Sequence, residues 1–510
     1  MKMTVTPVLL AIVAVMALGY TAGNAVASER NGKPNILILY ADDLGYGDLG
    51  SYNAKSKIPT PSLDKLADEG MRFSDAHTSS GICTPSRYAM LTGRYHWRKF
   101  HNIVKAFGPS KFAAERLTLP EMLQQKGYQT AAIGKWHLGW DWDAIRTPGS
   151  PDDGVSPDDF DWNKAIPDGP LAHGFDYYFG DNVINFPPYT WIENDRVVTA
   201  PDTMVDKTLW KIKEGKMEFR PGPMVTGWNP YENIPTTTQK GIDYIKEHAA
   251  DEKPFFLYFA YPSPHAPIIP NDRFDNTSKA GPYGDLVVET DDSIGQLLEA
   301  IETAGIANNT LVIFSSDNGP EHYAYKRDAE YNHWSSDPLR GLKRDIYEGG
   351  HRVPMIVRWT QKVPAGVRSD ELVSQIDIMA TIAALVGFEL PDDAAEDSYD
   401  MLRLWTGETG TSPRTVHIHN TFEGDYAIRH GEWNLVAART GYRIKDKHKA
   451  WEIRHGYSND EDDRGQLFHI ENDIGQRHNV IEQNPEKAAQ LAELLQQIRE
   501  QGYSAPRLSE

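Results

Sequence analysis

Four short apolar runs punctuate the chain, and each ends in a polar loop. Ile36-Leu37-Ile38-Leu39-Tyr40 leads to Asp42-Asp43, and Thr130-Ala131-Ala132-Ile133 leads to Gly134-Lys135-Trp136-His137. Phe255-Phe256-Leu257-Tyr258-Phe259 leads to Pro264-His265, and Leu311-Val312-Ile313-Phe314 leads to Asp317-Asn318. Runs without alternation predict strands buried on both faces. Helical signals lie between them. Ile294, Leu297, Leu298 and Ile301 follow helical spacing up to a stop at Gly305, and Leu63, Leu66 and Ala67 follow an N-cap at Ser62 and end at Gly70. Thr118 and Glu121 form a capping box before Met122 and Leu123. Strands alternating with helices predict an α/β fold with a large, mostly parallel sheet. Ligands of such sheets bind beyond the carboxyl ends of the strands, where all four polar loops would converge.

Residues 141–240 are irregular and rich in Pro, Gly, Asp and Trp, the texture of a loop-rich insertion that shapes a cleft. After the acidic stretch at Pro391-Asp392-Asp393 the pattern changes to short strands, at Val416-His417-Ile418 and Trp433-Asn434-Leu435-Val436. An amphipathic helix follows over about 485–500. We therefore divide the chain into a larger N-terminal domain over 28–400 that carries the four polar loops and a smaller C-terminal α+β domain over 401–510. Lys2, the apolar run Val8–Leu18 and the small-residue site Ala25-Val26-Ala27 read as an export signal over 1–27. The run is too short for a bilayer span, which needs about 20 residues. The expected location is periplasmic or extracellular, without integral membrane association.

Composition narrows the function. The 510 residues carry 52 basic and 72 acidic side chains, a formal charge of −20. That surface repels phosphate backbones, so nucleic acid is not an expected partner. An anionic substrate would need a local cluster of cations. The single cysteine, Cys83, excludes a disulfide scaffold. As a free thiol in an oxidising compartment it would be a liability unless buried or converted to something else.

Asp42, Asp43, Asp317 and Asn318 are hard oxygen donors. Crowded together, three carboxylates repel one another unless a cation lies between them, and oxygen-only ligation suits Ca²⁺ or Mg²⁺. Asp-Asp and Asp-Asn-Gly are equally at home in turns after strands. Arg87, Arg94, Lys135, His137, His265 and Lys343 lie in or beside the same loops and together could hold an oxyanion.

The segment Cys83-Thr84-Pro85-Ser86-Arg87 followed by Leu91-Thr92-Gly93-Arg94 resembles the signature of the formylglycine-dependent sulfatases, C-x-P-S-R then L-T-G-R. Eight fixed positions make a chance match anywhere in the chain on the order of one in fifty million. Gly134-Lys135-Trp136-His137, Pro264-His265-Ala266-Pro267, Ser316-Asp317-Asn318-Gly319, Gly341-Leu342-Lys343 and Tyr347-Glu348-Gly349-Gly350 match in order, and so does the opening Asn35 to Gly45. The resemblance covers roughly residues 33–390 and is to secreted bacterial carbohydrate sulfatases of the alkaline phosphatase-like superfamily.

The resemblance implies that a formylglycine-generating enzyme oxidises Cys83 to Cα-formylglycine, whose hydrate attacks sulfur. The second hydroxyl of the hydrate then expels sulfate, which a serine or thiol could not do. Asp42, Asp43, Asp317 and Asn318, with residue 83, would hold Ca²⁺, or Mg²⁺. Arg87 would stabilise the hydrate, Lys135 and Lys343 would hold sulfate oxygens, His137 would deprotonate the second hydroxyl, and His265 would protonate the leaving alcohol. Lys135, His265, Lys343 and Arg344 are the expected substrate contacts. His173, in a further family-like segment His173-Gly174-Phe175-Asp176, joins them, with a structural role as the competing reading. His322, Trp334, Asn185 and Tyr189 are further pocket candidates, with ordinary loop packing as the competing reading. The implied reaction is sulfate release from sulfated polysaccharide or glycosaminoglycan fragments. The alternative is phosphonate or phosphate monoester hydrolysis by the same nucleophile.

Overall fold

The strand β1 (Asn35–Ala41) shows why its sequence lacks alternation. Ile36, Ile38 and Tyr40 face one hydrophobic core, Leu37, Leu39 and Ala41 face another, and every residue is buried. In the computed structural model, which describes residues 32–151, 155–443, 448–457 and 461–506, β1 lies inside a ten-stranded sheet. The other members are β2 (Met71–His77), β3 (Gln129–Lys135), β4 (Tyr177–Asn182), β5 (Ile192–Glu193), β6 (Arg196–Val197), β7 (Phe255–Ala260), β8 (Thr310–Ser316), β9 (Met355–Arg358) and β10 (Val367–Ser374). Their spatial order is β10-β2-β9-β8-β1-β7-β3-β4-β5-β6. The four strands expected from apolar runs, β8, β1, β7 and β3, are consecutive and parallel. β9 runs antiparallel to β8 and β2, so the sheet is mixed.

Helices cover both faces. Pro61–Asp68, Asn233–His248 and Gly281–Thr303 contribute to one core, and Cys83–Thr92, Leu119–Gln125 and Ile378–Val386 contribute to the other. The capping box at Thr118 and Glu121 forms, with each side chain bonded to the other's backbone NH. The first helix begins at Pro61 after Thr60, two residues earlier than a Ser62 cap would put it, because proline suits a first turn that needs no NH donor.

A second, four-stranded antiparallel sheet follows: β11 (Val416–Asn420), β12 (Tyr426–His430), β13 (Trp433–Val436) and β14 (Gln466–His469). Ile418, Ile428, Leu435 and Leu467 pack with Leu491, Leu495 and Ile498 of the helix Pro485–Gln501 and with Ala89, Tyr95 and Trp97. The C-terminal sheet therefore braces the helix that begins at Cys83. The leader assigned to 1–27 lies outside the described residues. No helix of the described residues is long and apolar enough to cross a membrane.

The two sheets also meet through four buried imidazoles. His77 ends β2, His351 ends the turn of helix Glu348–His351, and His417 and His419 lie on β11. The His351 and His419 rings stack 3.3 Å apart and those of His77 and His417 lie tilted 4.9 Å apart, while the Nδ1 atoms of His77 and His351 are 3.0 Å apart. Asp75, Glu348, Arg352 and Arg429 surround the group. Burial holds His351 and His417 well below the usual imidazole range and brings His419 from 6.5 down to about 4. A base that resists protonation only when folded stabilises the fold fully above pH 6.5, and that stability is lost as pH falls toward 4, because the unfolded chain takes up the proton first. His419 alone is worth about 3 kcal/mol on this account. We expect the thermal midpoint to fall steeply between pH 6.5 and 4.5 in scanning fluorimetry, with a shallower fall in His419→Asn. Parallel profiles would refute the assignment.

Candidate active site

The in-register parallel strands deliver their carboxyl ends to one edge. Ala41 pairs with Ser316, Tyr40 with Ala260, and Gly134 with Ala260. Asp42, Asp317, Lys135 and the Ser263–His265 turn therefore meet without long connections, and the Asp317 NH donates to Ala41 O and the Asp42 NH to Ser263 O. Two glycines permit this closeness. Gly134 has φ +99°, and a Cβ there would lie 2.0 Å from Ala260 O. One on Gly319 would lie 1.9 Å from Gly349 O.

Cys83 opens a ten-residue helix that is buried along its whole length, and its Sγ lies 3.5 Å from Asp42 Oδ1. One turn on, Arg87 is fully buried. Its Nε and Nη2 donate to Asp317 Oδ2 at 3.0 and 2.8 Å, and Nη1 donates to Tyr258 OH at 3.2 Å. Lys135 Nζ donates to Asp42 Oδ2 at 2.5 Å, and Lys343 Nζ sits 2.7 Å from Asp43 Oδ1. Asn318 Nδ2 donates to Asp43 Oδ1 at 2.7 Å, while Asn318 Oδ1 is buried with no partner among the described residues. Asp42, Asp43, Cys83 and His265 each offer a donor atom, all within 4.8 Å of one another.

Asp43, His137 and Arg344 adopt φ of 66°, 54° and 79°, a region that costs non-glycine residues on the order of 1 kcal/mol each. Three of the residues singled out from sequence thus carry backbone strain that only the surrounding structure can sustain.

The electrostatics reflect crowding. Burial raises Asp42, but Lys135, Arg87 and Lys343 outweigh it, so its carboxyl lies below the usual range. Asp43 rises to about 7 because burial, reinforced by Asp42, Glu321 and Asp317, exceeds the pull of Lys343. Asp317 is raised by burial and by Asp42. Burial, then Asp317, pushes the Cys83 thiol far up. His137 Nε2 donates to Val104 O at 3.0 Å, which leaves Nδ1 buried and unpartnered among the described residues; burial and then Lys135 keep the ring neutral. His265 Nδ1 donates to Ala266 O at 2.5 Å, and its Nε2 lies 3.8 Å from Asp43 Oδ2. Burial, then Lys343 and Lys135, hold it far below the ordinary imidazole range.

The donor set fits a divalent hard cation. Three buried carboxylates share one space, burial and the neighbouring carboxylates raise Asp43 despite Lys343, and the amide oxygen of Asn318 faces no donor among the described residues. In their present positions the two lysines serve as counter-ions to Asp42 and Asp43.

Most residues expected here are present at this edge, but His173 is not. Its Nε2 bonds Asp168 Oδ1 at 2.8 Å and Ser110 Oγ at 3.2 Å, its ring packs on Phe112, and its carbonyl accepts from Thr118 Oγ1. These contacts make it a brace for the helix Leu119–Gln125, and the substrate-contact assignment is withdrawn. Arg94 lies 3.5 Å from Glu396 rather than in the pocket. Trp334 stacks on Trp451, and Tyr189 OH donates to Arg220 O, both packing roles. Sequence reading missed Glu321, which holds Arg344 and His322 and lies 3.9 Å from Lys343. It also missed Tyr258 and Asn182, whose Oδ1 accepts from the His137 NH at 3.4 Å. Glu321 stands two residues beyond Asn318-Gly319, so proximity to the predicted acidic loop was its one available signal.

A model of the sulfatase family matches residues 34–388, and one described as N-sulphoglucosamine sulphohydrolase, C-terminal, matches residues 342–502. The chain is 32% identical to N-acetylgalactosamine-6-O-sulfatase of Bacteroides thetaiotaomicron, with 94% of this chain and 96% of that protein aligned. It is 34% identical to human N-acetylgalactosamine-6-sulfatase over 74% of this chain and 66% of the human protein. A solved structure from work on glycosaminoglycan metabolism in B. thetaiotaomicron superposes with a TM-score of 0.77 at 31% identity, covering 92% of this chain and 99% of the other.

Proposed function

Because the chain belongs to the sulfatase family, we propose that it hydrolyses the 6-sulfate ester of an N-acetylhexosamine in sulfated glycan fragments. The observation that carries the chemistry is the convergence of Cys83, three carboxylates and Asn318 inside a ring of Arg87, Lys135 and Lys343. The sugar class rests on the full-length likeness to an N-acetylgalactosamine-6-O-sulfatase.

We assign Asp42, Asp43, Asp317 and Asn318 as the residues that would hold Ca²⁺, which when bound would supply Lewis-acid polarisation of the ester and the nucleophile. Residue 83, matured to formylglycine by a generating enzyme, supplies the hydrated nucleophile. Arg87, locked to Asp317, is preset to stabilise that hydrate and cannot swing away. With the carboxylates otherwise neutralised, Lys135 and Lys343 turn to sulfate oxygens and spread their charge. His137, with its tautomer set by Val104 O, accepts a proton at Nδ1. An anionic ester against Lys135 and Lys343 offsets their repulsion of a charged His265, which lets Nε2 carry a proton to the leaving oxygen. Export is inferred from the pattern over 1–27.

Sulfate release from 6-sulfated N-acetylgalactosamine, 6-sulfated N-acetylglucosamine, 4-sulfated N-acetylgalactosamine, an aryl sulfate and an aryl phosphonate tests the reading. We expect kcat/KM to be highest on a 6-sulfated hexosamine. Faster turnover of the phosphonate would replace this function with the phosphonate alternative.

A further inference from the structure

The insertion between β4 and β7 carries a cation that the chemistry above does not use. Phe186 packs its ring against His137, 5.3 Å between centres at 80°. The guanidinium of Arg220 lies over the same phenyl ring, 3.7 Å from its centroid. His137 and Phe186 are buried, whereas Arg220 is exposed, so the stack runs outward from His137 to solvent.

The backbone of Arg220 is held on both sides. Its NH donates to Asn185 O at 3.1 Å, and its carbonyl accepts from Tyr189 OH at 2.7 Å. Tyr189, Phe219, Met224 and Trp228 form a small separate core that stiffens this platform. The guanidinium itself has no hydrogen bond or ion pair among the described residues. Glu218, an acidic neighbour that its field feels, accepts from Tyr323 OH at 2.5 Å. Partial burial without a carboxylate partner lowers the Arg220 pKa, a cost that an incoming anion would relieve. In a chain of charge −20, a fixed arginine left without a counter-ion next to the site is a directed feature.

We propose that Arg220 forms an anion subsite beside the catalytic pocket, which takes a carboxylate or second sulfate on the sugar adjoining the one that loses its sulfate. The inference rests on the sulfated-glycan reading above. Planar guanidinium donors suit either oxyanion, and the phenyl ring beneath fixes their orientation. The subsite makes the enzyme select for an anionic oligosaccharide over a lone sulfated sugar.

The test compares the formylglycine-bearing protein with Arg220→Gln and Arg220→Lys on four substrates. These are the 6-sulfated monosaccharide and disaccharides in which the adjoining sugar is a uronate, a sulfated galactose or plain galactose. For Arg220→Gln we expect kcat/KM to drop about 10-fold more on an anionic disaccharide than on the monosaccharide, through KM, with the gap closing in high salt. Arg220→Lys should recover part of the loss. Whichever anionic disaccharide shows the larger drop identifies carboxylate or sulfate as the ligand. Equal losses on all four substrates, or no loss on any, would overturn the subsite. If wild type cleaves the monosaccharide but no disaccharide, the subsite fails and the sulfatase reading stands. If it cleaves no sulfate ester, the reading itself fails.

Discussion

Cys83→Ala, made in a host that installs formylglycine, is expected to reduce sulfate release by about 10⁴-fold or more while leaving the fold intact. The reason lies in what surrounds the sulfur. Burial and the Asp317 and Asp42 carboxylates oppose ionisation of a thiol at this position, and a protonated thiol is a poor nucleophile. On the proposed function a thiol held in this state is a weak nucleophile, and turnover would depend on conversion of residue 83 to formylglycine. Structurally it does little, since its one side-chain hydrogen bond among the described residues is the 3.5 Å approach to Asp42, and the helix behind it is held by Tyr88, Met90 and Leu91 in the main core. Loss of one buried sulfur should cost about 1–2 kcal/mol. Sulfate release, mass spectrometry of the peptide containing residue 83, and thermal denaturation check the three parts. Substantial turnover by the variant, or an unmodified cysteine in a fully active preparation, would defeat the proposal.

The parts of this protein legible in the sequence are those where burial is uniform or chemistry is clustered. β1, β3, β7 and β8 are buried on both faces, so their apolar runs stand out. β10, Val-Arg-Ser-Asp-Glu-Leu-Val-Ser, is half exposed at the sheet edge and carries no such run. The helix Cys83–Thr92 is buried all round and so lacks an amphipathic period, although it presents the central residue of the site. The candidate ring could be named because its members lie in segments that match the sulfatase motifs, most of them beside strand ends. Glu321, Tyr258 and Asn182 act through contacts made only in the fold. His173 shows the converse, since a family-like segment around it marks a brace made with Asp168 and Ser110. The strain at Arg344 is invisible in residue identity, and at Asp43 and His137 the residue type is only a weak signal, because aspartate and histidine visit φ above zero more often than most side chains.

Asp317 should be the most damaging ligand to lose, because it serves two partners. Oδ2 accepts twice from Arg87, and Oδ1 accepts from the Asp43 NH at 3.2 Å. Asp317→Ala removes a proposed metal ligand and strands a fully buried guanidinium, whose other carboxylate contact is 3.8 Å away at Asp42. Leaving a buried charge without its partner costs about 3–5 kcal/mol, so stability and activity should fall together. Asp317→Asn keeps the shape and one acceptor oxygen. It should lose bound metal and at least about 100-fold in kcat, with a smaller drop in thermal midpoint. Chelation of the wild-type protein should mimic the activity loss without the stranded arginine, and added Ca²⁺ should restore activity to wild type but not to Asp317→Ala. Elemental analysis beside sulfate release separates the outcomes. An Asp317→Asn protein that retained stoichiometric metal and full turnover would remove Asp317 from the ligand set and leave it only as the anchor of Arg87.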